Sequence, residues 1–139
     1  MRYAKPVPDP APTPFELLGG EPVVRRIVDR FYAVMARDEP ALARLHPCDA
    51  EGRVARDNQD RFALFFIGWL GGPQDYIAAH GHPRLRMRHA RVPVDVAMRD
   101  AWMRAMGAAL DEEGVAGPLR AFLDARLGEV AEMMRNRPG

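Results

Sequence analysis

Three of the chain's four histidines lie in one short stretch, residues 80–93, together with four of its nineteen arginines. Pro83 sets the φ angle of a first helical position, and Pro93 excludes the residue before it from the α region. Any helix between these two prolines must therefore be short. Within it, Leu85 and His89 are one helical turn apart and share a face. This stretch contains the best candidates for chemistry in the sequence.

Arg84, Arg86 and Arg88 surround His89 with positive charge. An imidazole among apolar side chains and cations suits a flat, apolar ligand that carries acidic groups. Haem has this chemistry, with a histidine on the iron and arginines on the propionates. The same arginines would also suit a simple anion. These residues alone leave both interpretations open.

Length and composition are those of one globular domain. The chain has 139 residues, 47% hydrophobic and 28% charged, with a formal net charge of +1. This balance gives no general affinity for nucleic acid or membrane surfaces. No apolar run approaches a membrane span or the core of a signal peptide, and the single cysteine, Cys48, is compatible with a reducing compartment. We expect a cytoplasmic protein.

The hydrophobic periodicity predicts an all-α fold on the C-terminal side of a proline-rich tail. Residues 1–14 contain five prolines at alternate positions and are predicted to be extended or disordered, which leaves 15–139 as the folded domain. Apolar residues recur at three and four in four long segments. The predicted helices run over about 21–37, 57–70, 95–112 and 119–136, with short ones at 15–18 and 40–45 and a connection at 74–81.

Two of these helices carry bulky stripes. One is Phe62, Phe65, Phe66 and Trp69, and the other is Met98, Trp102 and Met106. Each stripe by itself is typical of a hydrophobic core. Together they hold more aromatic and thioether bulk than a small helical bundle needs, so they could instead line a cavity around a flat ligand.

Specific segments of the sequence resemble those of a known protein family. The segment Phe-Ile-Gly-Trp-Leu-Gly-Gly-Pro at 66–73, followed by Tyr76 and by His-Gly-His-Pro-Arg-Leu-Arg-Met-Arg-His at 80–89, resembles the truncated haemoglobins of group II. The Phe31-Tyr32 pair, the Gly19-Gly20 turn and Asp100-Ala101-Trp102 occur in the family's order. The similarity runs from about Phe15 to Asn136.

The resemblance implies a two-on-two helical sandwich, all-α, whose proximal helix is reduced to one turn around His89. It implies haem b as the cofactor, with His89 as the proximal ligand of the iron. Tyr32, Trp102 and His46 would stabilise the ligand on the distal side, and Phe31, Asn58 and Phe62 would form the wall there. Each hydrogen bond from such a donor to a partly charged ligand contributes ~1.5–3 kcal/mol.

The resemblance also implies which residues contact the haem. Arg61, Arg86 and Arg88 are the candidates for pairing with the propionates. The further expected contacts are Phe65, Phe66, Leu70, Tyr76, Leu85 and Met98. His46 falls at a variable position of the family, where it could donate to the ligand or bind the iron itself. The loop between His46 and the distal helix is longer than in the simplest members.

The function implied is binding of dioxygen and other small ligands, including CO, NO, peroxide and cyanide, with slow release. Slow release disfavours bulk oxygen transport. The alternatives are peroxidase or nitric-oxide dioxygenase activity at the same haem, or a haem-based sensor of oxygen or redox state. A reductase is a candidate partner, nucleic acid and membrane are not expected to be partners, and we expect a monomer or weak homodimer.

Overall fold

The structure, a computed structural model, describes residues 11–138, apart from the side chain of Arg86 within them. The prediction for the proline-rich tail lies mostly on residues outside that range. The described chain is helical, and its only β contact is an isolated bridge between Cys48 and Val54. The helices are α1 Pro14–Leu18, α2 Glu21–Asp38, α3 Pro40–Ala43, α4 Arg56–Trp69, α5 Asp75–His80, α6 Leu85–His89, α7 Val96–Glu112 and α8 Gly117–Met134. The predicted all-α class is confirmed.

The four long helices pack in two pairs. α2 packs against α4, α7 packs against α8, and α2 also makes extensive contact with α7 between the pairs. The buried face of α2 carries Val24, Ile27, Val28, Phe31 and Met35, all spaced by three or four residues. The apolar stripe of α2 thus packs against both α4 and α7. The two helix pairs that result form the two-on-two arrangement.

The short helix α1 is tied to the end of α4. Thr13 caps α1 in a capping box with Glu16, and the Phe15 amide donates to the Leu70 carbonyl at 3.0 Å. The ring of Phe15 lies against Gly72, where an added Cβ would come within 2.7 Å of it. Glycine at this position is therefore needed for the close approach of α1 to the turn after α4.

Three predicted boundaries differ from the structure. The segment predicted as a connection at 74–81 contains α5, so that prediction was wrong. Pro83 does not start α6, which begins two residues later, after Arg84 adopts a left-handed backbone at φ 49°. The short helix α3 ends at Ala43 rather than at residue 45. The predicted N-cap of α7, Asp95, is confirmed: its side chain accepts from the Met98 amide at 2.9 Å.

None of the helices in the described part of the chain is both long enough and apolar enough to cross a membrane.

Candidate functional site

A cavity of about 470 Å³ opens between the two helix pairs, beside the proximal helix α6. Its size falls within the ~300–1,000 Å³ typical of small-molecule and cofactor sites. Its walls come from α2, α4, α5, α6, α7 and α8 and from the chain around residues 42–47 and 92–94. Most of the lining side chains are apolar, so the cavity suits a largely apolar ligand.

His89, the last residue of α6, is half-buried and faces the cavity. Its Nδ1 lies 2.8 Å from the carbonyl oxygen of Leu85, one turn earlier. A carbonyl can only accept, so Nδ1 carries the proton of the neutral ring and Nε2 is left with a free lone pair. Burial lowers the pKa of His89 and nearby Arg88 lowers it further, which favours this neutral form. The imidazole is therefore prepared as a metal ligand.

Tyr32 lines the cavity from α2. Burial raises the pKa of its phenol well above the usual range, and the side chain of Asn58, which also lines the cavity, opposes that rise to a smaller extent. The Tyr32 O–H remains protonated and available to donate into the cavity.

Trp102 lines the cavity from α7. Its indole N–H forms no hydrogen bond within residues 11–138. Every buried polar side-chain atom in that range has a hydrogen-bond partner, so the indole nitrogen is not one of the buried atoms. The indole N–H therefore reaches accessible space rather than being sealed in the core. Its ring lies edge-on to Phe31, with centroids 5.3 Å apart. This packing fixes the direction in which Trp102 can donate.

Phe62, in the middle of α4, holds the aromatic wall together. Its ring lies 5.9 Å from Tyr32 and 6.4 Å from Trp102, edge-on to both, and it stacks on Phe66 at 5.6 Å. Such tilted and edge-on contacts at 4.5–7 Å are the favoured geometries of aromatic pairs. Phe62 thus orients both donor side chains while adding only apolar surface of its own.

His46 follows α3 and is held in the same way as His89. Its Nδ1 lies 3.0 Å from the Leu42 carbonyl oxygen, and its ring stands edge-on to Tyr32 at 6.1 Å. Burial lowers the pKa of His46. In the neutral ring Nδ1 holds the proton, so the Nε2 atom can accept a hydrogen bond or bind a metal, but it cannot donate.

Three arginines line the cavity. Arg99 is engaged by Asp100 at 3.1 Å and by Glu132, whereas no carboxylate within the described residues pairs with Arg61 or Arg88. Arg61 and Arg88 are both exposed. Two cations at the cavity are therefore available to pair with acidic groups of a ligand.

The cavity brings together most of the residues predicted for the site. The predicted residues among its lining are Tyr32, His46, Asn58, Arg61, Phe62, Phe65, Phe66, Tyr76, Leu85, Arg88, His89, Met98 and Trp102. Phe31 and Leu70 are not among them; both are buried in the core, where the ring of Phe31 packs against those of Phe62 and Trp102. The side chain of Arg86 lies outside the described part of the structure.

Sequence reasoning missed several contributors to the cavity. Arg99 was not predicted, and neither was the α8 wall of Leu127, Val130, Ala131 and Met134. The spacing of those α8 residues predicts a helix but does not indicate which of them line a cavity. Asn136 was missed as well: it does not line the cavity, and its side-chain amide hydrogen-bonds the chain just after His89. No local pattern marks such a long-range contact.

Comparison with known proteins gives one family. The model of the bacterial-like globins matches residues 13–136. A group 2 truncated haemoglobin of Bacillus subtilis (strain 168) is 36% identical over 124 residues, 89% of each chain. The crystal structure of the group II truncated haemoglobin of Bacillus anthracis superimposes with a TM-score of 0.85 at 34% identity, over 94% of this chain and 96% of that one. A truncated oxygen-avid haemoglobin from Bacillus subtilis gives 0.80 at 35% identity, over 90% and 100%.

Proposed function

The chain belongs to the bacterial-like globins and, within them, to the group II truncated haemoglobins; on that premise we propose that it binds haem b through His89 and takes up dioxygen. The observation that carries this proposal is the bond from His89 Nδ1 to the Leu85 carbonyl, at 2.8 Å. It turns the free Nε2 lone pair toward an apolar cavity of cofactor size. When bound, the haem supplies a ferrous centre with one position open to a small ligand.

The residues around the cavity fit haem in shape and charge. Aromatic and aliphatic side chains of the lining would pack against the macrocycle, among them Phe65, Phe66, Tyr76, Leu85 and Met98. Arg61 and Arg88 have no carboxylate partner in the described chain and would pair with the two propionates. Arg99 would contribute less, because Glu132 and Asp100 already hold its guanidinium.

Slow ligand release follows from the two donors opposite His89. The Tyr32 O–H and the Trp102 indole N–H can both donate to a ligand that carries partial negative charge. Each bond to a charged acceptor contributes roughly 1.5–3 kcal/mol, about ten- to a hundredfold in release rate. One structural relative is described as oxygen-avid, which supports slow ligand release from this chain as well.

His46 would act differently from these donors. With its Nδ1 proton given to Leu42, the neutral ring offers only a lone pair to the cavity. It would accept from the Tyr32 hydroxyl, or it would bind the iron as a sixth ligand when no other ligand is present. A six-coordinate spectrum of the ligand-free protein would distinguish the second role from the first.

The same cavity would admit peroxide and nitric oxide, so detoxification is the competing function within this proposal. Repeated nitric oxide consumption would require a reductase as partner to return the iron to the ferrous state, and repeated peroxide consumption would require an electron donor. Rates of peroxide and nitric oxide consumption by the haem-loaded protein separate it from ligand binding alone.

The proposal is tested by haem titration followed through the Soret band, for the wild type and for His89→Ala. We expect one haem per wild-type chain and a loss or clear shift of the band in the variant. His80→Ala is the matched control, because His80 is exposed and outside the cavity lining. A His89→Ala protein with an unchanged Soret spectrum would contradict the assignment.

A further inference from the structure

The helix that carries His89 is poorly able to hold itself in place. α6 has only five residues, its N-terminus has no side-chain cap, and it starts from a left-handed Arg84 at φ 49°. One turn of helix closes few internal hydrogen bonds and is unstable by itself in water. The position of His89 must therefore come from contacts with other parts of the chain.

Asn136, just beyond the end of α8, supplies these contacts. Its Nδ2 donates to the carbonyl of His89 and to that of Val92, both at 2.9 Å. Its Oδ1 accepts from the Val94 amide at 2.9 Å, and its backbone amide donates to the Val94 carbonyl at 2.9 Å. Both amide protons and the amide oxygen are thus used on one short loop, 42 to 47 residues earlier in the chain.

We propose that Asn136 is a positioning residue for the proximal histidine. It holds the backbone of His89 while the Leu85 carbonyl holds its ring, so that Nε2 stays at a fixed height and angle in the cavity. The bond from Asn136 to the backbone and the bond from the ring to Leu85 together fix the imidazole. The ring bond alone would let the whole helical turn shift. This role rests on the proposed function, because it matters for haem only if His89 binds the iron.

The side chain's chemistry explains why an amide stands here. Two carbonyls accept here and one N–H donates, and a planar carboxamide offers both kinds of partner within a single group. A carboxylate has the same shape but no donor, so in Asn136→Asp two carbonyls would face a negative oxygen. Asn136→Ala would leave the Val92 carbonyl and the Val94 amide to water, which can reach this half-buried position, and the His89 carbonyl would keep only its bond from the Val92 amide, at 3.0 Å.

The test compares haem-loaded wild type, Asn136→Ala and Asn136→Asp. One readout is the rate of ferric haem transfer to excess apomyoglobin, and the other is the iron–histidine stretching band of the ferrous protein. We expect haem loss roughly tenfold faster in Asn136→Ala and faster still in Asn136→Asp, with the band shifted or broadened in both. Arg135→Ala is the control: Arg135 bonds Glu132 and the Arg137 carbonyl but not the loop that follows α6.

Thermal unfolding and circular dichroism of each haem-loaded variant separate positioning from general stability. If Asn136→Asp does not fold, the measurements on Asn136→Ala alone decide the test. Wild-type rates of haem loss and an unchanged iron–histidine band in a folded Asn136→Ala protein would overturn this inference alone. A wild-type chain that takes up no haem would overturn the proposed function and this inference together.

Discussion

Tyr32 and Trp102 place two donors in the cavity, from separate helices, and their protonation does not vary in the neutral range. Burial raises the pKa of the Tyr32 phenol, so it remains a donor well into alkaline solution. An indole N–H does not titrate at all in water. Their contributions to ligand release should consequently be independent of pH between neutrality and pH 10, the usual tyrosine value.

Replacing Trp102 by phenylalanine removes a donor but keeps an aromatic ring against Phe31. We expect the dioxygen dissociation rate of Trp102→Phe to rise about ten- to a hundredfold, because a bond to a partly charged ligand is lost. Stopped-flow ligand displacement measures that rate. Met103→Leu is a suitable control, since Met103 lies on the same helix and outside the cavity lining. A dissociation rate equal to that of the wild type would exclude a hydrogen-bonding role for Trp102.

How much of the site the sequence could predict depended on whether a residue belonged to a local motif. His89 and Tyr76 stood in the block that resembled the family, and both line the cavity. Arg99 and Asn136 could not be predicted, because each acquires its role from a partner on a distant helix or loop. Phe31 was expected in the wall; it is buried, packs against Phe62 and is not among the residues that line the cavity. Whether a buried aromatic side chain reaches a cavity surface is set by tertiary packing.

Among the elements, the four long helices and the short helices α1, α3 and α6 were predicted, whereas α5 was missed and the bounds of α3 and α6 were misplaced. An apolar stripe over four or five turns is a strong signal, and α2, α4, α7 and α8 all carry one. α5 was overlooked because its six residues offer fewer than two turns of periodicity. Its start after Pro73, an acid in its first turn and Gly81 at its end were nevertheless visible signals. The start of α6 was misplaced because Arg84 adopts a conformation that is uncommon for non-glycine residues.

The turn between α4 and α5 provides a test at this scale. Gly72→Ala would put a Cβ within 2.8 Å of three ring atoms of Phe15, so α1 would have to move away. We expect the free energy of unfolding to fall by about 1–3 kcal/mol. Gly128→Ala is the matched control: that glycine lies inside α8 with only Met103 Cε near, at 4.0 Å.

In the control, alanine should leave stability unchanged or raise it by up to ~1 kcal/mol, since glycine is a poor helix residue. Denaturant titration of the two haem-loaded variants measures both changes. Equal effects at the two positions would show that the contact between Phe15 and Gly72 does not constrain the turn.

For the whole molecule, the cavity makes stability depend on its contents. A space of about 470 Å³ between two helix pairs removes packing that a filled core would have. A ligand that binds only the folded chain adds ~2.7 kcal/mol at a hundredfold excess over its dissociation constant. We expect saturating haem to raise the melting temperature by roughly 10 °C or more, as followed by circular dichroism at fixed protein concentration.

His89→Ala should lose most of this rise while its haem-free melting temperature changes little, because the side chain is only half-buried. A haem-induced rise of the same size in wild type and variant would mean that the stabilisation comes from apolar contact alone. The fold would then not depend on the histidine bond.

The contact between Asn136 and His89 also sets an order of events during synthesis. The two residues are 47 positions apart, which corresponds to roughly 2–9 s of translation at about 5–20 residues per second. For that interval the nascent chain has His89 but neither the amide that fixes it nor the α8 wall. On the proposed function, a haem site with a fixed His89 therefore forms only after the last helix has left the ribosome.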